Sequence, residues 1–349
     1  MAKVLIIGAG LSGLSSAYAL RNTKAEVEIL EARSRPGGRI FTKRAEACHL
    51  ELGATWFGPQ HTSLLELVKA LNVPYKVQDN GSEAIYDFRP DGNLERFQIP
   101  AHGASTYKFE HGTSSLIEAL SQKISAKIHF DEAVESISYD DTFLVKTTTG
   151  SYCADYVLMS IPVQLIIDSV RFSPELPLAY KNLFSNTHTW MSDSIKFSVG
   201  FSSAFWKNNR FVGTLMSPKQ IIQEMYDHST KDQTQQALVG FLNSAYASFS
   251  ESERQSAVLD QLERIFPSKP LKALAYADVN WRKENFTIHE NAQALAPHQN
   301  NGHPNLRDGF FKDKLFFTAS ETAAQTPGYM DGAVHRGLQA GKLILNKLS

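Results

Sequence analysis

A chain of 349 residues is long for a single hydrophobic core and suits two domains, or one domain carrying a large insertion. Its apolar fraction of 42% and charged fraction of 20% are those of a globular protein, and with a net charge of −1 no broad basic surface advertises nucleic acid or an anionic membrane. Cys48 and Cys153 lack metal-type spacing, and the histidines are scattered in what read as loop or surface positions, so no metal site is expected. No apolar stretch has the length of a membrane span, and a strand beginning near residue 3 leaves no room for a signal peptide. The expectation is a soluble cytoplasmic protein with no nucleic-acid partner and no membrane anchor; nothing in the sequence marks an oligomeric state.

Val4-Leu5-Ile6-Ile7 reads as a buried strand, followed directly by Gly8, Gly10 and Gly13 and then by a helical pattern in Leu14, Ala17, Tyr18 and Leu20. A second strand, Val27-Glu28-Ile29-Leu30, ends at Glu31, eighteen residues past Gly13. Such a glycine pattern alone is common by chance, but each part here has a task. Gly8 permits a tight turn, Gly10 lets backbone approach a pyrophosphate, and Gly13 lets helix and strand pack closely. The amides of the helix start, at Leu11 and Ser12, face phosphates. Glu31 suits the hydroxyls of an adenosine ribose, and its charge disfavours a 2′-phosphate. The chain binds a dinucleotide.

A basic Gly-rich loop, Arg33 to Arg39, comes next, and then the turn-rich run Glu51-Leu52-Gly53-Ala54-Thr55-Trp56-Phe57-Gly58. Residues 63–71 predict an amphipathic helix, with Leu64, Leu67, Val68 and Leu71 on one face. Residues 75–107 alternate short strands with turn signals such as Pro90-Asp91-Gly92-Asn93. A helix over 113–124 precedes strands at 128–130, 134–139, 143–148 and 152–160, a meander turning at Asp140-Asp141 and Thr149-Gly150. Strands at 195–201 and 237–242 suggest a second sheet. A helix over 252–265 buries Val258, Leu259, Leu262 and Ile265. The chain closes with the strand Leu315-Phe316-Phe317 and a helix over 332–347, and residues 298–305 read as a surface loop.

These motifs, in this order, resemble the flavin amine oxidases, the group that includes monoamine and polyamine oxidases. The likeness is carried by the glycine fingerprint, Glu31-Ala32-Arg33, Gly37-Gly38-Arg39, Leu52 to Trp56, Gly112, Val134, Ser160-Ile161-Pro162, Ser194-Ile195-Lys196, Phe205-Trp206, Asn280-Trp281, Ser320-Glu321-Thr322-Ala323 and Gly328-Tyr329-Met330-Asp331-Gly332-Ala333. It implies an α/β fold. A Rossmann-like FAD-binding domain of the glutathione-reductase and amine-oxidase type (1–75, 109–184 and 279–349) carries an inserted α+β substrate domain on a mixed sheet (76–108 and 185–278).

The resemblance implies FAD held by Gly8, Gly10, Leu11, Ser12, Gly13, Glu31, Ala32, Arg33, Gly38, Arg39, Gly53, Ala54, Thr55, Trp56, Val134, Trp281, Ser320, Glu321, Tyr329, Met330 and Ala333. Arg33 and Arg39 suit pyrophosphate oxygens, Glu321 the ribityl chain, and the last helix aims its positive end at the flavin. By pattern alone Lys196 sits on the polar, solvated face of a strand; the resemblance makes it catalytic, water-bridged to flavin N5 and assisting reaction with O2. Trp281 packs against the isoalloxazine, and Tyr329 forms one wall of the amine site.

Two departures from the pattern stand out. The position used by monoamine oxidases for a covalent cysteine falls on Glu290, so FAD is expected to be non-covalent. The second aromatic wall falls on Asn291, in a segment, 291–297, without aromatics. Only about fifteen residues bridge Arg96 and Gly112, where relatives insert a helical section, which makes this a short member. The expected reaction is hydride transfer from an amine's α-carbon to flavin N5, with O2 as oxidant giving imine or aldehyde, ammonia or amine, and H2O2. A flavin dehydrogenase, desaturase or renalase-like nicotinamide oxidase is the alternative reaction, and a non-catalytic flavin-binding interaction protein the alternative class.

Overall fold

The computed structural model describes residues 1–349 except 46–47, 89–93, 100–104, 209, 231, 233, 268–270 and 349, so the turn expected at Pro90-Asn93 lies outside the described residues. Strand Lys3–Ile7 sits inside a six-stranded sheet, in the order Gly309–Phe310, Leu315–Phe317, Tyr156–Met159, Lys3–Ile7, Glu26–Leu30, Lys127–His129. All neighbours run parallel except the edge strand 309–310. A parallel sheet is covered on both faces, which is why its strands are continuous apolar runs. Val4 and Ile6 face helices Leu11–Leu20, Ser114–Ser121 and Met330–Leu348; Leu5 and Ile7 face the meander through Ile137, Phe143 and Val145. The first and last helices pack at short range, since a Cβ on Gly337 would lie 2.3 Å from the Ser12 carbonyl oxygen.

The meander is a four-stranded sheet of Ser151–Ala154, Thr142–Thr147, Val134–Asp140 and Arg171–Ser173. Here the single strand expected over 152–160 is corrected to two, in different sheets. The break is Asp155, whose N–H donates to the Lys3 carbonyl (2.9 Å) while its carboxylate accepts from the Lys3 N–H (2.8 Å), turning the chain from one sheet into the other.

The third sheet has seven strands: Ala273–Asn280, Ile195–Phe201, Gln236–Leu242, Ile222–Asp227, Phe211–Met216, Glu83–Tyr86 and Glu95–Gln98. It is mixed, with 83–86 parallel to 211–216. Helix Glu251–Ile265, closed at its start by a Ser250/Glu253 capping box, covers one face with Val258, Leu262 and Ile265. The other face of strand 195–201, expected to be solvated, is buried along its whole length. Hairpin Thr42–Ala45/Cys48–Glu51 lies over it, with Cys48, Leu50 and Leu52 packed on Ala277. Among the described residues, no helix is long and apolar enough to cross a membrane.

Candidate active site

Gly8 leaves its strand at φ +101, and its N–H donates to the Leu30 carbonyl at 2.7 Å. A Cβ on Gly13 would lie 2.0 Å from the Gly8 oxygen, so Gly13 is fixed by helix–strand packing and does not line the cavity described next. Gly10 differs: at φ −70 any residue is accommodated, and a Cβ there would meet no protein atom within 4 Å. Gly10 borders a cavity of about 610 Å³, and the helix it precedes begins with no side-chain cap and no acidic residue in its first turn. A backbone kept bare toward open space, beside uncapped helix amides, fits an anionic group at close range.

Gly8, Gly10, Leu11, Ser12, Glu31, Ala32 and Arg33 line this end of the cavity, and Val134, Glu132 and Thr148 close it. Glu31 is buried; its carboxylate accepts from the Ala9 N–H (2.7 Å) and the Arg33 N–H (2.9 Å), which hold its charge at the end of its strand. Arg35 serves the loop instead. It donates to the carbonyls of Pro36, Gly38 and Ile40, and burial, then the nearby Arg33, lower its pKa to about 10.

Gly38 and Arg39 line the middle of the cavity, and here one expectation is corrected. Glu321 does not line it: fully buried, its carboxylate pairs with Arg39 at 2.5 Å and accepts from Ser320 Oγ. Arg39 also donates to Ser320 Oγ (2.9 Å) and the Trp190 carbonyl (3.2 Å), so its charge is matched within the protein. Burial pushes the Glu321 carboxyl up, but the Arg39 charge and hydrogen bond outweigh it and hold it below the usual range. Ser320 itself faces the cavity, as do Met330 and Ala333 at the start of the last helix, which begins at Met330, two residues earlier than expected. Asp331 turns away, accepting from the Leu64 N–H (2.9 Å) and Thr326 Oγ1 (2.6 Å).

At the far end the cavity is lined by Gly53, Ala54, Thr55, Trp56, Lys196, Trp281 and Tyr329. Trp281 is pinned by its indole N–H on the Leu52 carbonyl (2.9 Å). Lys196 is 2% exposed; its Nζ donates to Thr55 Oγ1 (3.2 Å) and lies 4.0 Å from the Trp56 ring centre and 4.3 Å from that of Phe241. Burial lowers its pKa to about 7 against the opposing pull of Glu51 and Glu224. Glu51, buried in turn, is pushed up by burial while Thr42 and Thr113 donate to it.

Several lining residues lie beyond what sequence reasoning found. Trp190 and Met191 line the cavity, and Trp190 contacts Tyr329 at 5.7 Å between ring centres. His298, expected on the surface, stacks on Trp190 at 3.9 Å and 22°. Phe241, Phe286, Thr287 and His289 also line it, whereas Glu290, Asn291, Cys48 and Cys153 do not. An aromatic residue shortly before the Lys196 strand was the one signal that could have flagged Trp190.

Two family models match the chain: flavin-containing amine oxidoreductase over residues 94–345, and the NAD(P)-binding Rossmann-like domain over residues 6–71. A probable flavin-containing monoamine oxidase A of Dictyostelium discoideum is 24% identical over an alignment of 452 positions, covering 99% of this chain and 98% of the relative. The flavin-containing amine oxidase B of Cavia porcellus is 23% identical over 455 positions, covering 99% and 86%. These alignments are much longer than the chain, in keeping with a short member. In fold the chain matches putrescine oxidase (TM-score 0.82, 19% identity) and cyclohexylamine oxidase from Brevibacterium oxydans IH-35A (TM-score 0.84, 19% identity), each over 99% of both chains. The chain belongs to the flavin-containing amine oxidoreductases and is an FAD-dependent enzyme acting on amines.

Proposed function

We propose that the chain oxidises a monoamine with an apolar body, bound as the neutral amine at the Lys196 end of the cavity. The observation that carries this reading is one continuous cavity joining the Gly10 cradle to the buried amino group of Lys196. Non-covalently bound FAD supplies the hydride acceptor for the amine's α-carbon, and O2 as final oxidant gives an imine that hydrolyses, with H2O2 as the second product. Gly10, Leu11, Ser12 and Glu31 hold the adenosine and phosphate end, where Arg33 lines the wall but turns its guanidinium to Glu284 and Thr287 instead of to a phosphate; Ser320, Met330 and Ala333 meet the flavin end. The absence of a cysteine from the described lining supports non-covalent attachment.

Residues 1–75, 109–184 and 279–349 carry the cofactor in this reading, and the seven-stranded sheet, drawn from 76–108 and 185–278 but for the end of its strand Ala273–Asn280, presents the substrate wall. Trp56, Phe241, Trp281 and Tyr329 make the reacting end apolar, where a charged amine costs more to bury than a neutral one. Trp190, in contact with Tyr329, is the aromatic partner that segment 291–297 lacks. Lys196, poised near neutrality, holds or releases a proton at Nζ beside the reacting atoms. Among the described residues, the carboxylates lining the cavity are Glu31, Glu132 and Glu135, at the adenosine end. A second ammonium on the substrate would therefore find no carboxylate lining the reacting end, only the amino group of Lys196, which disfavours diamines.

The test is the purified protein itself. Yellow colour released to the supernatant by acid precipitation, and faster H2O2 formation with benzylamine than with putrescine, are the expected results. A colourless protein that takes up no FAD, or bound flavin that no amine in a panel reduces, overturns the reading.

A further inference from the structure

Arg33 lies on the cavity wall, yet its guanidinium is committed to a segment about 250 residues away in sequence. It donates to Glu284 Oε2 (3.2 Å), Thr287 Oγ1 (3.0 Å) and the Phe286 carbonyl (3.4 Å), and sits 5.5 Å from the Phe286 ring centre. The segment is a tight turn, with the Thr287 N–H on the Glu284 carbonyl at 2.8 Å, and Thr287 and Ile288 are buried. Its upstream end is fixed by Trp281, whose N–H donates to the Ser194 carbonyl (3.0 Å). Asn285, Phe286 and Thr287 line the same cavity as the Gly10 cradle.

We propose that residues 284–287 are a clasp, latched by Arg33, that retains FAD in a chain without a covalent link. This rests on the flavin reading above. This turn walls the cavity in which an extended cofactor lies, and opening it breaks the Arg33 hydrogen bonds to Glu284, Thr287 and the Phe286 carbonyl and a cation–ring contact together. Glu284 and Thr287 thus act through Arg33, as positioning residues that slow release.

The test uses holoenzyme and the double variant Glu284→Gln/Thr287→Val. Each is diluted, and free-flavin fluorescence reports the dissociation rate. Release about tenfold faster in the variant is expected, since contacts of this kind act mainly on the off-rate. The absorption spectrum of bound flavin should be unchanged, because Lys196 and Trp281 are untouched, and Glu284→Asp should restore most of the retention. Release at the wild-type rate overturns the clasp while leaving the cofactor reading intact. A shifted bound-flavin spectrum together with a lower melting temperature of the flavin-free protein also overturns it, as general loosening. A wild-type chain that takes up no FAD overturns the cofactor reading, and the clasp with it.

Discussion

The two ends of the cavity are built by opposite means. At the adenosine end, a contiguous stretch from Lys3 to Arg39 presents backbone: bare glycines, uncapped helix amides and one carboxylate held by two N–H groups. At the reacting end, the segment that follows the hairpin (Gly53 to Trp56), the seven-stranded sheet and the start of the last helix each contribute side chains, chiefly aromatic rings around a buried lysine. An atom added to a backbone site either meets other backbone, as at Gly13, or takes the space left for the ligand, as at Gly10, whereas side-chain sites store electrostatic cost. Mutations at the two ends should therefore fail differently.

The largest effect separates two glycines three residues apart, within one turn of chain. Gly13→Ala drives a Cβ to 2.0 Å from a backbone oxygen that cannot swing aside, and should cost more than about 4 kcal/mol of stability. Gly10→Ala adds a Cβ at an unstrained φ of −70 with no protein atom within 4 Å. The flavin-free protein should melt at or slightly above the wild-type temperature, yet FAD affinity should fall about a hundredfold as the methyl group occupies the phosphate approach. Melting curves and flavin titrations check both; wild-type affinity in Gly10→Ala would break the backbone half of the comparison.

Lys196→Met probes the other half. Burial lowers this lysine to about 7 from an ordinary 10.5, so between those values the unfolded chain binds the extra proton and stability rises with pH. Below about 7 both states are protonated and the full cost of burying the charge is felt. Removing the charge should stabilise flavin-free protein by more at pH 6 than at pH 9, the two gains differing by about 3 kcal/mol. Denaturant unfolding at the two pH values measures this, and a gain that does not shrink with rising pH would assign the effect to packing.

The same contrast explains what could be read before the fold was known. The Gly8-Gly10-Gly13 turn and Glu31 were legible because their partners lie within one β-α-β unit, where spacing fixes geometry. Strands such as Ile195–Phe201 and Leu315–Phe317 were legible for the same local reason. The burial of Lys196 was not, since the hairpin ending at Glu51 that covers it comes from the other half of the chain. Nor was the break at Asp155, which depends on Lys3, or the aromatic contact of Trp190, His298 and Tyr329, which joins three separate loops. Motif resemblance reached Tyr329 but had no means of seeing what would stand beside it.

Where the two ends meet, Arg39 and Glu321 form the joint, and the smallest predicted effect tests whether charge or shape matters there. Glu321→Gln keeps the volume and an oxygen for Arg39 while removing the negative charge. Breaking a buried ion pair on one side costs about 3–5 kcal/mol, but the Arg39 side chain is 24% exposed and water can screen its charge, so about 2 kcal/mol is expected at pH 7. The sign with pH follows from the lowered Glu321 pKa. The carboxylate contributes its stability above the ordinary value of 4.5 and loses it as pH falls through the lower folded value. The deficit of the variant should therefore close as unfolding is measured from pH 7 down toward 3. A deficit that persists in acid would mean that this joint is held by packing rather than by charge, and that Arg39 needs no counter-charge to sit between backbone cradle and aromatic end.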